Sequence, residues 1–400
     1  MPVYLNALGI ACALGENKRS IAKGLFSGHT GDREKSLVQA DQYIPHRPVI
    51  VGALPFDLPS LEMRFSRFDS RNNRLMVHVL NEILDDVMTA ISTYGDKRIG
   101  IVLGSSTSGI AEGGDALAAF KNEDELPESF HYAQQEIGGP SEFLAEYLNL
   151  RGPALTISTA CSSSAKVFDS GRRLIESGQC DAVIVGGIDT LCKLTLNGFS
   201  ALSAVSSGYC NPFSKNRDGI NIGEGGALFL MSGTPSNIAL YGVGEASDAY
   251  HISAPHPEGV GAAAAMSAAI QQADITPSDI DYVNLHGTAT AHNDAMESIA
   301  VLNVLGNDRP VSSTKGRVGH TLGAAGAIEV AFCYLTLSNI NKDGVLPLQT
   351  WDGEPDENTR KLRFVKKGDV LNRKKNQNYC LSNSFAFGGS NVSVVIGSVG

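Results

Sequence analysis

Short apolar runs alternate along this chain with longer stretches of helical periodicity. Short apolar runs bounded by turn residues read as buried strands, and longer runs of period about 3.6 read as helices. The apolar runs predict strands at 3–8 (with burial extending to 12), 99–103, 154–158, 182–185, 239–243, 282–286, 311–313, 379–382 and 392–396. The periodic stretches predict helices at 73–93, 162–177, 262–273, 294–305 and 324–338. Strands alternating with helices predict a layered α/β fold.

The pattern repeats weakly. Val3-Tyr-Leu-Asn-Ala-Leu-Gly9 resembles Ile238-Ala-Leu-Tyr-Gly-Val-Gly244. A later strand in each part ends in a small, polar turn, Gly104-Ser-Ser-Thr107 and His286-Gly-Thr-Ala-Thr290. A further strand in each ends in Ser-Thr, at Ser158-Thr159 before Cys161 and at Ser313-Thr314 before Lys315. Matched elements in the same order predict two similar halves, 1–235 and 236–400, with the seam near Pro235. Four hundred residues also exceed the usual size of a single core.

Composition narrows the function classes. Net charge is −10 and no nucleic-acid motif appears, so a broadly basic nucleic-acid surface is not expected. The 43 glycines follow no short period, which excludes a collagen-like chain. Seven scattered cysteines without a CxxC pair argue against a disulfide framework or a zinc site and for a reducing compartment. The opening Met1-Pro-Val-Tyr-Leu-Asn lacks the basic-then-apolar order of a signal peptide. The Ala-rich run at 261–270 is too short to span a bilayer. A cytoplasmic chain with no membrane partner is the expectation.

The chemistry centres on Cys161, in Thr159-Ala-Cys-Ser-Ser-Ser164, between a predicted strand and a predicted helix. A helix N-terminus favours a thiolate there. Cys12, Cys180, Cys192, Cys210, Cys333 and Cys380 lack that context and read as structural. His286 and His320 each lie in a turn of small residues, where a substrate could approach. His29, His46, His78, His131, His251, His256 and His292 read as structural. A thiol with two imidazoles points to covalent acyl transfer.

Six motifs, in order, carry a resemblance over nearly the whole chain. They are Thr159-Ala-Cys-Ser-Ser163, Asn211-Pro-Phe-Ser-Lys-Asn-Arg-Asp-Gly219, His286-Gly-Thr-Ala-Thr290, Ser313-Thr-Lys315, Gly319-His-Thr-Leu-Gly-Ala-Ala-Gly326 and Asn383-Ser-Phe-Ala-Phe-Gly-Gly389. The sequence resembles the elongating β-ketoacyl-acyl-carrier-protein synthases of the thiolase-like superfamily. The resemblance implies a thiolase-like five-layer α-β-α-β-α fold made of two similar halves. It implies decarboxylative Claisen condensation of an acyl group held on Cys161 with a malonyl group on acyl carrier protein. The products would be 3-oxoacyl-carrier protein, CO₂ and free carrier protein. No enzyme-bound cofactor or metal is implied, only the carrier's phosphopantetheine arm.

The resemblance also implies residue roles. His286 and His320 would stabilise the enolate, and Lys315, partnered by Glu329, would tune them. Asp294 and Glu297 would support the site from behind, although a helix N-terminus explains Asp294 equally well. The backbone N–H groups of Cys161 and Phe387 would form the oxyanion site, with the Phe387 ring as a gate and Gly388 and Gly389 allowing close approach. Thr288 and Thr290 would hold the phosphopantetheine arm, and Phe199 and Thr107 would line the acyl pocket. Arg64, Arg67, Arg71 and Arg74 would dock the acidic carrier protein, while the basic residues at 361–375 read as solvated surface. Ala386 replaces the family's usual glycine, implying a stiffer gate loop.

A thiolase would need a second cysteine in a Cys-x-Gly turn, and Cys380 is followed by Leu381-Ser382. An initiating synthase would carry asparagine where this chain has His320. A non-catalytic chain-length partner would lack Cys161. A Cys-His hydrolase would need open water access and one orienting residue, which two histidines fit less well. The pathway stays open between fatty-acid elongation and a dedicated aryl polyene or type II polyketide route. The assembly stays open between a homodimer and a heterodimer with a chain-length-factor paralogue.

Overall fold

The computed structural model describes residues 2–28 and 33–400, so His29 lies outside the described residues. Its strands are β1 (Val3–Cys12), β2 (Val38–Ala40), β3 (Val49–Val51), β4 (Ile99–Gly104), β5 (Ala154–Ile157), β6 (Ala182–Asp189) and β7 (Gly225–Ser232). They continue as β8 (Ile238–Ser247), β9 (Ile280–Asn284), β10 (Pro310–Ser312), β11 (Arg363–Phe364), β12 (Tyr379–Phe385) and β13 (Ser390–Ser398). Apart from the β2–β3 pair, they form one sheet in the order β11-β10-β9-β12-β13-β8-β1-β7-β6-β4-β5.

That order contains its own repeat. β1 and β8 meet only through Val3 opposite Leu240 and Tyr4 opposite Ala239. Outward from β1 run β7, β6, β4 and β5, and outward from β8 run β13, β12, β9 and β10. The first two pairings on each side are antiparallel and the next two parallel. The similar segments at 3–9 and 238–244 therefore lie in corresponding strands, as do the Ser-Thr ends after β5 and β10.

Helices complete the five layers. The helices Ser163–Glu176 and Ala325–Leu337 pack on each other between the two half-sheets. The helices Arg71–Asn81 and Gly139–Tyr147 cover the outer face of one half, and Val260–Gln272 backed by Ala291–Leu305 covers the other. Every residue of Ala325–Leu337 except Tyr334 is buried. A helix apolar all round belongs in the centre of a fold. Among the described residues no helix is long and apolar enough to cross a membrane.

The structure corrects three expectations. The helix expected at 73–93 is two helices, Arg71–Asn81 and Leu84–Tyr94. The break falls where the Glu82 carboxylate accepts hydrogen bonds from the Ile10 and Lys18 amides. β7, fully buried, was hidden by the glycines at its start. The strand leading to Cys161 was expected to be buried, yet β5 is a sheet edge with Leu155 49% exposed.

Candidate active site

Cys161 sits where β5 passes into the helix Ser163–Glu176. The turn needs Ala160 at φ 52, a left-handed conformation that costs a side-chain-bearing residue energy. Local hydrogen bonds hold it. Ser163 Oγ donates to the Ala160 carbonyl at 2.6 Å and accepts from the Thr159 amide at 2.9 Å.

Two other turns converge on the thiol. His320 follows Gly319, whose φ is 74. The turn is fixed to the stretch before β7, with the His320 amide donating to the Asn221 carbonyl at 2.7 Å and the Gly223 amide donating to the His320 carbonyl at 2.9 Å. The result is His320 Nε2 3.1 Å from Cys161 Sγ. His286 follows β9, and its ring lies edge-on to His320 with centroids 5.3 Å apart. The buried Glu297 carboxylate fixes the His286 turn, accepting from the amides of His286 at 2.8 Å and Gly287 at 2.7 Å. Asp294 does the same one turn further on, accepting from the amides of Phe213 and Ala289.

Lys315 is buried beside them. Its ammonium pairs with Glu329, donates to the His286 carbonyl at 2.6 Å and lies 3.4 Å from His286 Nδ1. An ammonium can only donate, so Nδ1 is the accepting nitrogen and Nε2 carries the proton. Burial holds both histidines well below their ordinary 6.5, and the Lys315 charge lowers them further. Both are neutral at pH 7.

The expected resting thiolate is corrected. Burial pushes the Cys161 thiol up to about 11, against the opposing pull of Lys315 and the Phe387 amide. The site therefore holds a thiol beside a neutral imidazole. The Phe387 and Cys161 amides both face Sγ. Phe387 is 36% exposed, and its ring packs on Phe199 with centroids 5.8 Å apart. Gly388, at φ 79, makes the turn beside it. Ala386 has φ −106, extended backbone open to any residue, so no strain marks the replacement of glycine.

A cavity of about 530 Å³ opens onto Cys161, His286 and His320, with Thr288, Thr290, Phe199 and Phe387 in its walls. Arg217, His251, His292, Asn293 and Asn391 also line it and were missed as site residues. Arg217 stood in a quoted motif, whereas His251 and His292, read as structural, stand in no recognisable pattern. Thr107 is not in the wall. Its hydroxyl donates to Asp189 at 2.8 Å, so it ties two strand ends together rather than facing substrate. Gly388 and Gly389 also lie outside the cavity wall.

The four arginines do not form a free cationic patch. Arg71 makes two hydrogen bonds to the Glu224 carboxylate, whose side chain is only 1% exposed. Arg74 grips Asp69 with two bonds of 2.6 Å. Arg67 pairs with Glu146 and Arg64 with Glu62 at the exposed surface. Arg71 and Arg74 are therefore bracing groups. The ligand atoms of Cys161, His286 and His320 lie within 4.8 Å of one another. A metal-binding histidine usually donates its second nitrogen to an acceptor. Here His286 Nδ1 faces an ammonium and His320 Nδ1 has no partner among the described residues, a surrounding that does not suit a resident metal.

Comparison with known proteins gives one answer. Residues 1–235 match the β-ketoacyl synthase N-terminal domain and residues 238–348 the β-ketoacyl synthase C-terminal domain. The 3-oxoacyl-[acyl-carrier-protein] synthase 2 of Rhizobium meliloti (strain 1021) is 35% identical over 62% of this chain and 61% of its own length. The enzyme of the same name from Staphylococcus aureus (strain COL) is 28% identical over 98% of this chain and 97% of its own. The ketosynthase ApeO of Xenorhabdus doucetiae, solved in complex with its chain length factor ApeC, is 42% identical with a TM-score of 0.93, covering 100% of this chain and 98% of that one. Together with the five-layer fold and the Cys-His-His cluster, these matches establish that the chain belongs to the β-ketoacyl synthase family.

Proposed function

We propose that Cys161, His286 and His320 carry out decarboxylative condensation, adding two carbons to an acyl chain delivered by acyl carrier protein. The observation that carries this reading is the convergence of one thiol and two neutral imidazoles at the floor of a single cavity. In the first half-reaction the thiol passes its proton to His320 Nε2 as Sγ attacks the acyl thioester carbonyl. The Cys161 and Phe387 amides receive the oxyanion. The tetrahedral intermediate collapses, the carrier thiolate leaves, and it takes the proton back from His320.

In the second half-reaction a malonyl thioester enters. Its carbon–carboxylate bond breaks, CO₂ leaves, and the electron pair forms an enolate. The Nε2–H of His286 donates to the enolate oxygen, and His320, its proton moved through solvent from Nδ1 to Nε2 once Sγ is acylated, donates beside it where charge develops. The enolate carbon then attacks the Cys161 thioester carbonyl, and Sγ departs from the new 3-oxoacyl chain as a thiolate that takes up a proton from water. Lys315 keeps the His286 proton on Nε2. Glu297, Asp294 and Glu329 hold the turns and the ammonium in place. Thr288 and Thr290 contact the phosphopantetheine arm, the Phe387 ring gates the acyl channel, and Arg64 and Arg67 meet the carrier protein. No enzyme-bound cofactor takes part.

Each chain, made of the halves 1–235 and 236–400, pairs with a second chain as a dimer in the cytoplasm. β5 supports pairing, because among the described residues no strand lies beside its outer edge and Leu155 is exposed. Two readings of the partner compete. A homodimer suits general fatty-acid elongation. A heterodimer with a chain-length-factor paralogue, serving an aryl polyene or type II polyketide route, is supported by the likeness to ApeO, solved with its chain length factor. Purified chain, with and without a co-expressed paralogue, is assayed for condensation with acyl- and malonyl-carrier proteins. Two-carbon extension lost in His286→Ala and in His320→Ala supports the proposal. Extension unaffected by either substitution overturns it.

A further inference from the structure

β6 ends on Asp189, a carboxylate with no exposed surface. Two turns donate to it. From the turn after β4, Oδ1 accepts from the Ser105 hydroxyl at 2.7 Å, the Thr107 hydroxyl at 2.8 Å, and the Ser106 and Thr107 amides at 2.9 Å each. From the turn after His320, Oδ2 accepts from the Ala324 amide at 3.1 Å. No cation among the described residues forms an ion pair with it.

A buried carboxylate without a counter-ion is costly unless donors surround it. The surroundings here supply such donors from one side and a helix end from the other. Ala324 immediately precedes the helix Ala325–Leu337, whose positive end stabilises an anion. Both turns connect to the segments that carry the reacting atoms. The Ser106 hydroxyl donates to the carbonyl of Ala160, the strained residue before Cys161, at 3.4 Å. Ala324 lies four residues after His320, on the same tight turn. Gly323 leaves no room for a side chain there, since one would meet Asp189 and Ser106.

We propose that Asp189 is a positioning residue that holds the Cys161 turn and the His320 turn in register, and so sets the approach of His320 Nε2 to Cys161 Sγ. It touches neither atom and acts through Ser106 and Ala324. The consequence for condensation rests on the proposed function, but the consequence for the thiol does not.

The test uses Asp189→Asn in the full chain. The amide keeps the shape but turns one acceptor into a donor facing backbone N–H groups. Folding is checked by circular dichroism and thermal melting. Cys161 alkylation by iodoacetamide is then followed against pH, and kcat and KM are measured for carrier-bound substrates. The expected result is alkylation about tenfold slower at neutral pH, with its rise moved to higher pH. kcat falls alongside while KM for carrier protein holds. Ile270→Val, in the far core cluster, serves as a control that lowers stability without touching either turn. If Asp189→Asn does not fold, Ser105→Ala removes one donor and is expected to shift the alkylation profile in the same direction. A wild-type alkylation profile in the folded Asp189→Asn protein, or in Ser105→Ala where it replaces it, overturns the proposal. Loss of condensation in the wild type with the alkylation difference intact would count against the proposed function and still support Asp189.

Discussion

His320 Nε2 stands 3.1 Å from Cys161 Sγ, and neither group is charged at rest. The nucleophile is thus made when it is needed, by proton transfer across that contact. Burial outweighs the helix end that would otherwise stabilise a standing thiolate. Wild-type alkylation is expected to rise without a plateau between about pH 6 and pH 9, because the thiolate is the reacting form. His320→Ala should lower the rate at neutral pH by about tenfold or more. A plateau near neutrality, read by stopped-flow alkylation, would indicate a preformed ion pair instead.

Lys315 and Glu329 form a pair with both side chains almost wholly buried. Removing one partner strands a charge, which typically costs about 3–5 kcal/mol. Lys315→Met and Glu329→Leu are each expected to lower stability by that order in urea melts. The double substitution should recover much of it without recovering malonyl decarboxylation, since His286 loses the ammonium that fixes its tautomer. Recovery of activity in the double variant would show that the pair only holds the loop.

Glu297 gives a pH test. Burial holds its carboxyl up to about 7, above its ordinary 4.5. The folded protein then binds the extra proton, so this group's contribution to stability falls as pH rises from about 4.5 through about 7. His286 and His320 act in the opposite sense, because their folded values lie below 6.5 and their contribution is lost as pH falls through that value. Glu297→Gln leaves both histidines in place and isolates the carboxyl. Its destabilisation is expected to be larger at pH 5 than at pH 8. An equal loss at both pH values would contradict the assignment.

Arg67 and Arg71 separate docking from bracing. Arg67 forms an exposed pair with Glu146, and exposed pairs contribute about 0–1 kcal/mol. Arg67→Glu is expected to raise KM for carrier-bound substrate with little change in melting temperature. Arg71→Glu would strand the buried Glu224 beside a second carboxylate, so its main effect is a lower melting temperature. Unchanged KM in Arg67→Glu would remove Arg67 from the docking surface.

Much of this architecture was legible in sequence because local chemistry and fold agree. The apolar runs marked nine strands, and the segments at 3–9 and 238–244 turned out to occupy matching places in the sheet. The motif residues Cys161, His286 and Lys315 each stand in the turn after a strand, and His320 follows the short helix that Lys315 begins. What stayed hidden depends on tertiary context. Exposure of β5 depends on which strand lies beside it, which no residue of 154–157 declares. The ion pairs of Arg71 and Arg74 join positions with no shared motif, such as Arg71 and Glu224. Asp189 reads as an ordinary acid at a strand end, and only the folded turns reveal its five donors. Burial also reversed one inference, since the helix end alone predicts a thiolate.

The central claim is that Cys161 carries the acyl chain between two half-reactions. The most direct test is intact-mass measurement after offering acyl-carrier proteins, saturated and aryl-polyene, and then malonyl-carrier protein, with a co-expressed paralogue included in parallel. The expected result is a single acyl adduct that is absent in Cys161→Ala and is released as a product two carbons longer once malonyl-carrier protein is added. Absence of any adduct under either condition, or an adduct that persists in Cys161→Ala, would contradict it.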